Sequence, residues 1–132
     1  MTADEIIELL QLERHPEGGH FRRTWADGPA DGSRGSGSAI YFLVTGSTRR
    51  HRIDATEIWH HYAGDPVELV IGEDAAAVLG PDLAAGQWPQ IVVPADTWQH
   101  ATCLGDWSLV GCTASPEFTF DGFEVDEGSA PD

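Results

Sequence analysis

From Ser38 onward the chain is a succession of short apolar segments, each interrupted by glycine, proline or aspartate. Their β-branched and aromatic content, with turn residues every ten or so positions, predicts an all-β sandwich or barrel. The expected strands are 38–45, 51–53, 58–63, 67–71, 76–79, 90–93, 99–104, 107–114 and 120–125. Leu104-Gly105-Asp106-Trp107 has the form of a two-residue hairpin, because glycine at the first turn position suits a type II′ turn. That hairpin would set Cys103 opposite Ser108 and Cys112 opposite Gln99.

Before Ser38 the pattern changes. Thr2 and Glu5 fit a capping box, and Ile6, Ile7, Leu9, Leu10 and Leu12 recur at helical spacing, so residues 2–12 are expected to form a helix covering a sheet. Gly18 and Gly19 favour a turn into a short strand ending near Trp25. Residues 26–37, rich in Gly, Ser, Asp and Pro, are expected to form a mobile loop, and the acidic tail 124–132 to fray. A length of 132 residues predicts one domain spanning 1–132.

The net charge of −15 opposes association with nucleic acid or an anionic membrane. It does not oppose a small anion, since Arg22, Arg23, Arg49, Arg50 and Arg52 can reverse the sign locally. The commoner outcome for such arginines is to balance surface acids. No apolar run approaches the ~20 residues of a membrane span, and the N-terminus has no secretory pattern, so a soluble, cytoplasmic protein is expected. Cys103 and Cys112 lack zinc-site spacing and are expected to be buried free thiols. The glycines match no nucleotide-binding loop.

One stretch carries the chemistry: His51, Ile53, Glu57 and Gly64 stand in the order His, one residue, Ile, three residues, Glu, six residues, Gly. This resembles the first motif of the cupin barrels, with Ile53 at the position of a second His. Pro94, Asp96, Gln99 and Cys103 follow a degenerate form of the second motif, with Gln99 at a His position. H15-PEGG-H20-FR, S38-AIYFL-V44-TG, H51-RIDATEIWH-H61-YAGDP, D82-LAAGQWPQIVVPADTWQ-H100 and G105-DWSLVGCT-A114 together resemble the Cupin 5 (DUF985) family, over nearly the whole chain. The resemblance implies a double-stranded β-helix barrel of jelly-roll type, usually assembled as a homodimer, to which the short N-terminal helix read above is added. It implies no settled activity. His20 and His61 replace aromatic residues common in that family.

Metal-binding cupins present three His and one Glu. Here His51, Glu57 and Gln99 offer one imidazole, one carboxylate and one amide oxygen, a set that would hold a divalent metal only weakly. No cofactor is firmly implied. The preferred reading makes them polar groups of a pocket, hydrogen-bonded to one another. Trp59 and Trp98 flank them and are expected in the pocket wall. His60 is either a ligand contact or an interface residue, because strict alternation after Glu57 turns Trp59 and His61 inward and His60 outward unless a bulge intervenes.

The functional expectation is a protein that binds a small polar, sugar- or nucleotide-like metabolite through His51, Glu57, Trp59, His60, Trp98 and Gln99. The alternative is a sugar or sugar-phosphate isomerase or epimerase, with His51 as base oriented by Glu57 and Tyr41 or Tyr62 as acid. A metal-dependent dioxygenase ranks third.

Overall fold

In the computed structural model, which describes residues 1–129, one short helix and eleven strands form two antiparallel sheets. Helix α1 (Ala3–Leu10) starts as the capping box requires: Thr2 Oγ1 accepts from the Glu5 backbone N–H at 3.2 Å, and the Thr2 N–H donates to Glu5 Oε1 at 3.0 Å. It stops earlier than its apolar spacing suggests, because Gln11 adopts the left-handed conformation and caps the last turn.

The strands are β1 (Glu13–Arg14), β2 (His20–Ala26), β3 (Ser38–Val44), β4 (His51–Ile53), β5 (Thr56–Gly64), β6 (Val67–Ile71), β7 (Ala77–Leu79), β8 (Gln90–Val93), β9 (Gln99–Cys103), β10 (Ser108–Ser115) and β11 (Phe123–Val125). One sheet runs β1-β2-β3-β10-β5-β8 and the other β11-β4-β9-β6-β7. The strand expectations hold to within a residue or two at most ends. The final segment opens instead as a short 3-10 turn, Phe120–Gly122.

The expected β9–β10 hairpin does not form. These strands lie in different sheets, so residues 104–107 turn a corner between the two layers. The Asp65 carboxylate holds that corner, accepting from the backbone N–H of Asp106 at 2.8 Å and of Trp107 at 3.4 Å. A side chain at Gly105 would collide with this carboxylate. Cys103 therefore pairs with Val67, and Cys112 lies between Ile40 and Trp59. Both are free, buried thiols, as expected.

Both the 26–37 loop and the described part of the tail make defined contacts. In the 26–37 loop, Ala26 belongs to β2, and the Gly37 N–H and Ser36 hydroxyl both reach Asp27. Gly35 exchanges hydrogen bonds with Glu117, and Arg34 forms a fork with Asp54 at 2.7 and 3.1 Å. In the acidic tail, Phe123–Val125 pairs with β4, while Arg52, Arg50 and Arg49 meet Glu124, Asp126 and Glu127. The arginines thus balance acids of their own chain. Residues 130–132 lie outside the described residues.

Alternation along the strands separates two environments. Inward side chains of both sheets, among them Phe42, Trp59, Leu69, Leu79 and Val110, fill one end of the interior and are almost wholly buried. Each such side chain contributes on the order of 1.5–3 kcal/mol by leaving water. Outside the first sheet, Ile6 and Leu12 pack on Leu43 with Tyr41 and Leu109 around them, which is how α1 covers one half of that face. The other end of the interior is not filled by hydrocarbon, and the polar residues gather there.

Candidate functional site

Two glycines begin the site. Gly18 and Gly19 both have positive φ, at 104° and 77°, and a Cβ on Gly19 would lie 2.7 Å from the Leu43 carbonyl and from the Phe42 ring. Glycine alone tolerates that approach. The tight turn draws His15 and Glu17 into the barrel, where both are buried. Opposite them, β4 turns His51 and Ile53 inward, and β5 turns Glu57 and Trp59 inward. His51 is the cross-strand partner of Gln99 on β9.

These side chains form two hydrogen-bonded groups, one around His51 and Glu17 and one around Glu57, Gln99 and Trp59. His51 Nδ1 donates to the Arg49 carbonyl at 2.9 Å, and His51 Nε2 lies 3.0 Å from Glu17 Oε2. With an acceptor on each nitrogen, the ring is best satisfied as an imidazolium. Burial opposes that charge, but the Glu17 carboxylate, its hydrogen bond and the more distant Glu57 overcome burial and raise His51 to about 9. Glu17 is pushed up by burial and pulled down further by His51 and His15, so it stays ionised below its ordinary range. The result is a buried ion pair.

Glu57 has a different character. Burial raises it to about 7, aided by the Glu17 charge and opposed by His51 and a hydrogen bond from Gln99. Its Oε1 accepts from Gln99 Nε2 at 2.8 Å, and Gln99 Oε1 accepts from Trp59 Nε1 at 2.9 Å. The indole can only donate, which fixes the amide: oxygen toward Trp59, nitrogen toward Glu57.

A cavity of about 230 Å³ opens beside these groups. Glu17, His51 and Glu57 supply its polar floor, with His15 beside them. Ile40, Phe42 and Phe21 form one wall, and Phe118 and Phe120 come from the C-terminal segment. Arg23 also lines the cavity, held by Glu117 Oε2 at 3.1 Å and the Phe118 carbonyl at 2.8 Å.

The sequence expectations divide accordingly. His51, Glu57 and Gln99 are brought together, and Trp59 joins them. Gln99 and Trp59, however, stand behind Glu57 and orient it instead of lining the cavity. Trp98 is elsewhere: its ring is approached by the guanidinium groups of Arg50 and Arg52, at 4.8 and 4.7 Å, on the outside of the second sheet. His60 is also outside, where Nε2 meets Thr113 Oγ1 at 3.1 Å and the ring stacks on Tyr62. Alternation holds through His60, and the bulge falls one step later, where β10 pairs with His61 and then Ala63, skipping Tyr62.

Tyr62 lies over Gly111 on that outer face and meets Tyr41 edge to face. Neither tyrosine lines the cavity, so the expected histidine–tyrosine acid–base pair is not assembled. The carboxylate that orients His51 is Glu17, not Glu57. Glu17 and His15 are the residues that the sequence reading missed. Their signal was the His15-Pro16-Glu17-Gly18-Gly19 run, in which paired glycines mark a close backbone approach.

His51, Glu57 and Gln99 do not fit a metal as a donor set. Both His51 nitrogens are engaged, and the Gln99 oxygen faces Trp59 while its N–H faces Glu57. Among the described residues no other cluster of His, Cys, Asp or Glu has metal-binding geometry. No helix among them is long and apolar enough to cross a membrane.

Comparison with known proteins agrees with this architecture. The crystal structure of protein SO0799 from Shewanella oneidensis is 42% identical, with a TM-score of 0.87 over 96% of this chain and 85% of that one. A hypothetical protein from Leishmania major is 27% identical, with a TM-score of 0.86 over 96% and 88% of the two chains. KdgF from Halomonas sp., 18% identical with a TM-score of 0.62 over 83% of this chain and 90% of that one, shares the fold alone. No functionally curated protein matches the chain. The family described as Cupin superfamily (DUF985) matches residues 4–126, and the chain belongs to that Cupin_5 family.

Proposed function

We propose that the barrel binds a small polar metabolite, about the size of a monosaccharide, between the His51–Glu57 floor and the phenylalanine wall. The observation that carries this reading is a buried, partly aromatic cavity whose floor holds an ion pair and a carboxyl group near neutrality. Convergent polar groups in an apolar recess are the usual signature of a small-molecule site. Isothermal titration with sugars and sugar phosphates tests it. Binding lost in Glu57→Ala supports the reading; binding unaffected by that change refutes it.

The second reading is an isomerase or epimerase, favoured by Glu57. A carboxyl group held near 7 can both take and return a proton at neutral pH. The roles differ from those first expected. Glu57 is the group that moves the proton, and His51, held charged by Glu17, is a fixed cation that favours negative charge developing nearby. Turnover in Glu57→Gln at the wild-type rate would remove this reading.

We also propose a homodimer formed by the uncovered half of the first sheet. Trp25, Ala39, Thr113, Ile58 and Val92 form an unbroken cross-strand row there, with Trp25 and Val92 about half exposed. The row carries no charge, so two copies of a chain with net charge −15 can meet on it without like charges in contact. Sedimentation should give a dimer that Ile58→Glu dissociates; a monomeric wild-type protein overturns the proposal. A cytoplasmic setting suits the two reduced thiols.

A further inference from the structure

His15 has no part in the reading above beyond its place near Glu17, yet its surroundings are specific. Its Nδ1 accepts from the Glu17 backbone N–H at 3.2 Å, which places the ring proton on Nε2. Five phenylalanine rings surround the imidazole, the nearest being Phe21 at 4.7 Å between centroids, then Phe123 at 5.6 Å and Phe42 at 5.7 Å. The side chain is 5% exposed and lines the cavity. Among the described residues, nothing accepts a hydrogen bond from Nε2. The imidazole lines the same recess as Glu57, where Nε2–H is open to a ligand. Burial keeps the ring neutral, ahead of the opposing effect of Glu17. A neutral donor suits an oxygen that carries partial charge, and aromatic walls suit a ligand whose hydrogen-bonding capacity lies at one end.

We propose that His15 Nε2–H donates to the carbonyl oxygen of a small metabolite bearing an aldehyde or ketone, and that Glu57 exchanges the proton on the adjacent carbon. This rests on the proton-transfer reading and adds to it a substrate class and a second catalytic residue. The step is balanced within the site. The Glu57 carboxylate takes the proton, the C–H electron pair forms the carbon–carbon double bond, and the carbonyl π pair moves onto oxygen. The His15 N–H and the nearby His51 charge stabilise that oxygen. Return of a proton from Glu57 restores the carbonyl, and no oxidant or co-reactant is needed. The geometry parallels neither a metal site nor a nucleophilic one: the participating atoms are one N–H and one carboxyl.

The test uses two matched pairs, dihydroxyacetone with glycerol and pyruvate with lactate, titrated into the ¹⁵N-labelled protein. The His15 Nε2 resonance should move with the carbonyl member of a pair and not with its alcohol. His15→Phe, which keeps the aromatic packing and removes the donor, should weaken the carbonyl compound at least tenfold and leave the alcohol unchanged. Deuterium exchange at the carbon beside the carbonyl should disappear in both His15→Phe and Glu57→Gln. Equal response to ketone and alcohol, or undiminished preference in His15→Phe, overturns the His15 assignment while leaving cavity binding intact. Failure of all four compounds to move any cavity resonance overturns both. The resonance of the unaltered protein decides the matter even where the variant does not fold.

Discussion

Replacing Glu17 by glutamine removes one charge and almost no volume, and it isolates the ion pair at the centre of the site. The structure sets the expected size. His51 is held at about 9 against an ordinary 6.5, and each tenfold gain in proton affinity corresponds to 1.36 kcal/mol. A histidine whose folded value is raised contributes stability that is complete below its unfolded value and is lost as pH rises through the folded one. The contribution is therefore about 3 kcal/mol at pH 6 and pH 7, about 1 at pH 8 and near zero by pH 9.5. Without the carboxylate, burial still disfavours the His51 charge and only Glu57 and the Arg49 carbonyl oppose it, so most of the raised proton affinity should be lost. The amide introduced by Glu17→Gln can still donate to the unprotonated His51 Nε2, so the barrel should fold. Urea unfolding of both proteins across pH 6 to 9.5 reads the difference directly. The reasoning fails if the loss in Glu17→Gln is independent of pH, or if it stays below about 0.5 kcal/mol at pH 6.

Three further outcomes follow from other parts of the structure. Glu57, raised to about 7 from 4.5, opposes folding when ionised, so wild-type stability should fall as pH rises from about 4.5 through 7; Glu57→Gln should flatten that slope, measured as midpoint against pH. Gly64 has φ 82°, and a Cβ there would lie 2.5 Å from the Trp107 ring and 2.6 Å from its carbonyl. Gly64→Ala should cost at least about 2 kcal/mol by chemical denaturation, and a near-neutral effect would show the corner to be loose. Trp98→Ala should lose about 1 kcal/mol of cation–π contact with Arg50 and Arg52 yet leave ligand affinity within twofold in titration calorimetry, because the ring lies outside the cavity.

The fold was legible because strand periodicity and turn residues act locally. Ser38–Val44 and Val67–Ile71 can bury an apolar face only in an extended conformation, whatever they pair with. What local pattern does not specify is the partner. The segment Leu104–Trp107 has the chemistry of a hairpin, yet Asp65, some forty residues away, captures its backbone and turns it into a corner between sheets. The same limit governed the site. His51, Glu57 and Gln99 were recognisable through their resemblance to the cupin motifs, whereas Glu17 entered through a glycine turn whose destination depends on the Leu43 backbone and the Phe42 ring. His60 and Trp98 were drawn toward the pocket by proximity in sequence, but alternation carried His60 to the outer face, and two arginines hold Trp98 outside the second sheet. The loop at 26–37 has the composition of a mobile segment, and Arg34, Asp27 and Glu117 make contacts there that composition does not reveal.

All of this chemistry depends on a buried imidazolium and a carboxyl group near neutrality facing one recess. Heteronuclear NMR titration of the His51 ring nitrogens and the Glu57 side-chain carbonyl carbon measures both in a single protein. His51 should remain protonated through pH 8 and titrate near 9, with Glu57 titrating near 7. A histidine that loses its proton near 6.5, together with a carboxyl that titrates near 4.5, would contradict the account.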